Sequence, residues 1–256
     1  MNEGKSNRLC DLQNARGLTS LLRTNNYCIY PANCIAILDL KRDEFVDWLP
    51  FLKDMKGDND YFWPLAMILN KNVLAKDGIL VGYSMGGRIA MHMLIQDQNS
   101  SLPKWQKAII ISASAGLEGC EDRELRLAMD LEWSERFKHG KWDEVVSDWL
   151  SLPLFQYDKK VPNNRFELES RREEIALSMN YCSIARQQNL KEELASLKIP
   201  ILFIAGSEDK KYLDKARSYA DLNQLFRFEC MPGAGHRAPW QNPNSFKQLV
   251  KAFVEN

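Results

Sequence analysis

The chain has 256 residues, 45% of them hydrophobic and 27% charged, with 34 basic residues balanced by 34 acidic ones. That length is one large domain or two small ones, enough to bury a real core, and a net charge of zero gives no footprint for nucleic acid or a membrane surface. No apolar run approaches the ~18 residues that span a bilayer. The polar start MNEGKSNRLC lacks the apolar core of a signal peptide, so export is not expected, and Cys10, Cys28, Cys34, Cys120, Cys182 and Cys230 show no C-x-x-C spacing. Free thiols in a cytoplasmic protein are the expectation, with no metal site and with the oligomeric state left open.

Residues 1–33 carry little periodicity, and NNYCIYPANC reads as turn-rich and irregular. CIAILDL (Cys34–Leu40) predicts a buried strand, and the spacing of Phe45, Trp48, Leu49 and Leu52 predicts a helix over Phe45–Met55. A second helix is expected over Pro64–Lys76, stopping at Asp77-Gly78. A strand at Ile79–Tyr83, a helix at Gly86–Gln98 and a strand at Lys107–Ser112 come next.

From Glu121 to about Leu194 the pattern is almost wholly helical, broken at Lys138-His139-Gly140 and again between Pro153 and Pro162. Strands return at Ile199–Asp209 and Leu225–His236, and Ser245–Val254 closes the chain as a helix. Strands alternating with helices predict an α/β fold with a mostly parallel central sheet. The expected organisation is a core over 34–118 and 195–256, a helical lid over 119–194, and an irregular segment over 1–33.

GILVGYSMGGRIAMHML (Gly78–Leu94) places G-x-S-x-G at a strand-to-helix corner. Such a corner projects Ser84 Oγ above the strand's carboxyl end, beside backbone N–H groups at a helix start. A serine nucleophile or base needs a partner. Of the three histidines, His92 reads as a packed helix residue and His139 as a solvated one, whereas His236 ends a glycine-rich loop directly after a strand. Asp209, also at a strand end, is the candidate to orient that imidazole, with Glu208 as its rival. The order Ser84, Asp209, His236, with the helical block between the first two, is that of an α/β-hydrolase sheet.

Arg88 lies in the first turn of the helix behind Ser84, where a cation opposes the helix dipole unless an anion compensates it. One reading is a surface ion pair with an acid of the lid; the other is a bidentate clamp on a substrate carboxylate. The lid adds Arg123, Arg126, Arg165, Arg171 and Arg172. Arg126 faces the site only if Leu125 and Met129 do not. Several arginines above one serine point to a small polyanionic molecule.

GYSMGGRIAM, GLEGCEDRELRLAMDLEWSERF, DWLSLPLF, AGSEDKKY and MPGAGHRAPWQNP together resemble the 2-succinyl-6-hydroxy-2,4-cyclohexadiene-1-carboxylate synthases of menaquinone biosynthesis, over about Gly78 to Asn256. The resemblance implies a triad of Ser84, Asp209 and His236. It implies carboxylate-binding Arg88 and Arg126, and a third arginine at Arg171 or, alternatively, Arg172. Trp149 and Phe155 would line the pocket, Tyr83 would flank the serine, and the Met85 N–H would serve the oxyanion site. The implied reaction is elimination of pyruvate from a tricarboxylate by Ser84 acting as base, without metal or organic cofactor.

The N-terminal third departs from that family. Asp39-Leu40 stands where its His-Gly-Phe-x-Gly oxyanion loop belongs, although Asp47-Trp48 comes at the expected distance, and its D-L-P-G-H-G stretch is absent. A serine hydrolase of the same fold, or a catalytically impaired relative, therefore stands beside the synthase reading.

Overall fold

The computed structural model describes residues 35–38, 43–55, 61–73, 77–158 and 165–255. The expectations for 1–33 and for Asp39-Leu40 lie outside them, as do Cys10, Cys28 and Cys34.

Among the described residues, six strands form one sheet: β1 (Ile35–Leu38), β2 (Asp43–Phe45), β3 (Gly78–Tyr83), β4 (Trp105–Ile111), β5 (Ile201–Gly206) and β6 (Phe226–Met231), in the order β2-β1-β3-β4-β5-β6. Neighbours from β3 to β6 run parallel, each crossover carrying a helix. The central strands GILVGY and ILFIAG are buried at every position, as strands covered on both faces must be. Their alternation divides the core. Leu80, Ile110 and Phe203 face one cluster, while Val81, Tyr83, Ile109, Ile111 and Ile204 face the other.

On the first face, helix α1 (Phe62–Asn72) packs against α2 (Met85–Asp97). The α2 helix is apolar nearly all round and buried almost throughout, since sheet, α1 and insertion cover it from different sides. Between β4 and β5 come α3 (Cys120–His139), α4 (Trp142–Leu150), a 3-10 turn at Pro153–Phe155, another at Arg165–Arg171, α5 (Arg172–Tyr181) and the short α6 (Lys191–Ala195). The break expected at Gly140 is there; its N–H closes α3 onto Arg136 O at 2.8 Å. Helix α7 (Lys210–Ala220) joins β5 to β6, and α8 (Ala238–Gln241) and α9 (Pro243–Glu255) come after β6. Phe246, Val250 and Phe253 of α9 fill the second face of the sheet.

Two expectations need correction. The helix predicted over Phe45–Met55 is a strand to Phe45 and then a 3-10 turn at Leu49–Asp54. Pro50 has no N–H to donate back to Val46, so no α-helix runs through from Phe45. Helix α1 ends at Asn72, with Val73 extended, rather than reaching Lys76. The sheet is mostly parallel as expected, but β1 runs antiparallel to both β2 and β3, with Ile35 opposite Gly82 and Leu38 opposite Ile79. Its carboxyl end therefore lies at the edge of the sheet away from Ser84.

Candidate active site

Ser84 sits between β3 and α2 with φ 51° and ψ −116°, a strained conformation for a non-glycine residue. The corner requires close backbone approach. A Cβ on Gly82 would lie 2.7 Å from both Ala90 Cβ and Gly87 Cα, so the motif's first glycine is a steric necessity. As the first residue of α2, Met85 has an N–H without an intrahelical acceptor, pointing to where negative charge would gather.

His236 lies in the turn between β6 and α8, and Asp209 at the junction of β5 and α7. The two loops are tied by Ser207 N–H donating to Met231 O and Glu208 N–H to Ala234 O, both at 2.9 Å. Gly206 permits this, because a Cβ there would lie 2.1 Å from Ala234 O. Asp209 Oδ2 stands 2.7 Å from His236 Nδ1, and His236 Nε2 stands 3.1 Å from Ser84 Oγ. With Nδ1–H donated to the carboxylate, Nε2 is free to accept the serine proton. Glu208 is exposed and accepts instead from Ser207, so the geometry selects Asp209. His92 is buried, donates Nδ1–H to Arg88 O at 2.8 Å and stacks on Phe62, while His139 lies exposed near Glu135.

Ser84 opens into a cleft, continuous with solvent, lined by Met85, Arg88, Ser114, Arg126, Trp149, Phe155 and Tyr212 among others. Arg88 is buried, donates to Cys182 O at 2.9 Å and lies over the Phe62 ring. Burial first, and then Arg126, lowers its pKa from the ordinary value. Leu125 is 68% and Met129 55% exposed. Those two side chains face solvent on α3, and Arg126 turns inward, held by Asp130.

Two expected pocket residues are placed elsewhere. Arg171 pairs with Asp47 at 2.8 Å and Glu174 at 2.7 Å and does not line the cleft. Its alternative, Arg172, donates to the carbonyls of Phe137 and Gly140 and lies over Trp142. Arg171 thus ties the insertion to Asp47 of the core, while Arg172 binds carbonyls within the insertion. Arg123 likewise binds the carbonyls of Ala185, Gln187 and Leu117. Tyr83 packs edge-on against Trp240 and tilted against His236, supporting the histidine from below without reaching the cleft.

The sequence reading missed Tyr212, Met179 and Ile184, which also line the cleft. It also missed a buried ion pair at 3.1 Å between Asp158 and Arg237, next to His236. The spacing of Leu213, Ala216 and Tyr219 would have revealed α7 and with it the inward-facing Tyr212. Among the described residues there is no cluster of three metal-ligating side chains, and no helix is long and apolar enough to cross a membrane.

Residues 36–248 match the Alpha/beta hydrolase family. A 2-succinyl-6-hydroxy-2,4-cyclohexadiene-1-carboxylate synthase of Serratia proteamaculans is 32% identical over 181 residues, covering 69% of this chain and 68% of that protein. One of the same name from Yersinia pseudotuberculosis is 32% identical over 235 residues, covering 81% and 82%. The chain belongs to the α/β-hydrolase-fold family of these synthases. Among solved structures, MenH from S. aureus superposes with a TM-score of 0.69 at 24% identity, covering 78% of each chain, which shows the α/β-hydrolase fold.

Proposed function

We propose that this chain eliminates pyruvate from a cyclohexene tricarboxylate bearing an enolpyruvyl group, giving 2-succinyl-6-hydroxy-2,4-cyclohexadiene-1-carboxylate. The observation that carries the reading is the pairing, in one cleft, of two arginines with a serine hydrogen-bonded to a histidine–aspartate pair. Simple esters have no use for Arg88, whose burial beside a second guanidinium favours an anion between the two.

In this reaction His236 Nε2 takes the Ser84 proton while Asp209 steadies the imidazolium. The Ser84 oxygen removes the proton next to the substrate's ketone, and the charge that develops on the ketone oxygen meets the Met85 N–H. The electrons then form the conjugated diene as the carbon–oxygen bond to the enolpyruvyl group breaks. Pyruvate enolate leaves, gains a proton and becomes pyruvate. No acyl-enzyme forms. Trp149, Phe155 and Met179 form an apolar wall that would suit the ring. The same wall favours a second reading, a serine hydrolase acting on an apolar ester.

The test is an assay of the purified chain on the enolpyruvyl precursor, with pyruvate and diene absorbance followed together and a neutral nitrophenyl ester run in parallel. Coupled release, lost in Ser84→Ala, supports the synthase; ester cleavage alone moves the assignment to a hydrolase.

A further inference from the structure

Helix α7 does more than join β5 to β6. Its first turn begins at Asp209, and Tyr212 N–H donates to Asp209 O at 3.0 Å, so the backbone that sets the triad carboxylate also sets this tyrosine. The Tyr212 ring lies with its centroid 4.7 Å from that of His236. Its side chain lines the same cleft as Ser84, Arg88 and Arg126. Tyr219, two turns further along α7, has its hydroxyl occupied as acceptor of Ala115 N–H at 2.9 Å. Among the described residues no polar atom stands within hydrogen-bond distance of the Tyr212 hydroxyl.

The charges around it give that oxygen a direction. The Arg126 Nε is engaged by Asp130, and Arg88 reaches Cys182 O with one nitrogen, leaving guanidinium N–H groups to face the cleft. Burial raises the phenol's pKa, outweighing the opposing pull of Arg126 and Arg88. The hydroxyl thus stays protonated beside two cations and is suited to donate to an anion that they attract.

We propose that Tyr212 is a specificity-determining residue, its hydroxyl donating a hydrogen bond to a substrate carboxylate that Arg88 and Arg126 hold. The role rests on the carboxylate-binding reading of the cleft. A phenol donor adds direction to what the arginines supply as charge, fixing which oxygen of the carboxylate faces the triad side of the cleft.

The experiment is calorimetric titration of the full chain and of Tyr212→Phe with tricarballylate, a tricarboxylate with no leaving group, and with its neutral trimethyl ester. Phenylalanine keeps the ring that packs on His236 and removes only the oxygen. The expected result is a Kd for tricarballylate about tenfold weaker in Tyr212→Phe, the scale of a lost hydrogen bond to a charged group, with no matching change for the ester. Equal tricarballylate affinity in both proteins would overturn the role of Tyr212 alone. So would an equal loss for acid and ester, which marks a change of shape. Failure of the unaltered chain to bind tricarballylate would overturn the carboxylate reading of the cleft, and this role with it.

Discussion

Arg126 Nε lies 2.9 Å from each carboxylate oxygen of Asp130, and Asp130 is buried and also accepts from Ser183 Oγ at 2.7 Å. The aspartate thus orients a guanidinium that would otherwise swing on the outside of α3, where Leu125 and Met129 already point. Asp130→Asn is expected to raise KM for the tricarboxylate about tenfold, on the scale of a charge-assisted hydrogen bond. Its effect should largely vanish in an Arg126→Ala background, because the two residues act as one unit. Additive losses in a double-mutant cycle would contradict this.

Arg126→Ala by itself is expected to weaken the carboxylate-rich substrate by about tenfold or more. Binding of a neutral ester at the same cleft should change little. Steady-state kinetics on both substrates decide the point, and unchanged synthase activity would remove Arg126 from the clamp.

Ser84→Ala should abolish turnover of either substrate. Asp209→Asn should keep the fold and lower kcat by about 10⁴, since an amide no longer holds the Nδ1–H tautomer that frees Nε2 to accept a proton. A small effect of Asp209→Asn would show that His236 is oriented by something else.

Gly82→Ala tests the corner itself. The added methyl would meet Ala90 Cβ and Gly87 Cα at 2.7 Å, backbone among them, so relief requires moving α2 away from β3. A loss of about 1–3 kcal/mol in urea unfolding is expected from such overpacking, together with lost activity as Ser84 shifts from His236.

His92 gives the fold a pH dependence. It is fully buried, and burial lowers its pKa from 6.5 to about 4. The unfolded chain therefore binds more protons between these values. The contribution is complete above pH 6.5 and is lost as pH falls toward 4, amounting to roughly 3 kcal/mol. Thermal unfolding across that window should show a shallower pH slope in His92→Gln than in the unaltered chain. Parallel slopes would mean that carboxylates alone govern the acid limb.

Much of the fold was legible in the sequence because its signals are local. The apolar runs of β3, β5 and β6 each end in a motif whose chemistry depends on neighbours in the chain. The Gly82-Tyr83-Ser84 corner, the Gly206 crossing and the Gly235-His236 loop state their own geometry, and chain order then sets Ser84, Asp209 and His236 along the carboxyl edge of a parallel sheet. The features hidden from the sequence were non-local. Phe45–Met55 has helical spacing, yet its first residue pairs with β1, and only a 3-10 turn follows from Leu49.

The sequence by itself determined the residue types at the strand ends, the helical insertion between β4 and β5, and the family to which both belong. Only the tertiary structure decided which arginine serves the cleft. Arg126 and Arg171 look alike in the chain, but helix rotation turns one inward, while Asp47 and Glu174 hold the other outside. The tertiary structure alone also brought Tyr212 against His236 and gave β1 its direction. Strand pairing and helix rotation are fixed by contacts between residues far apart in the chain, and no local pattern encodes them.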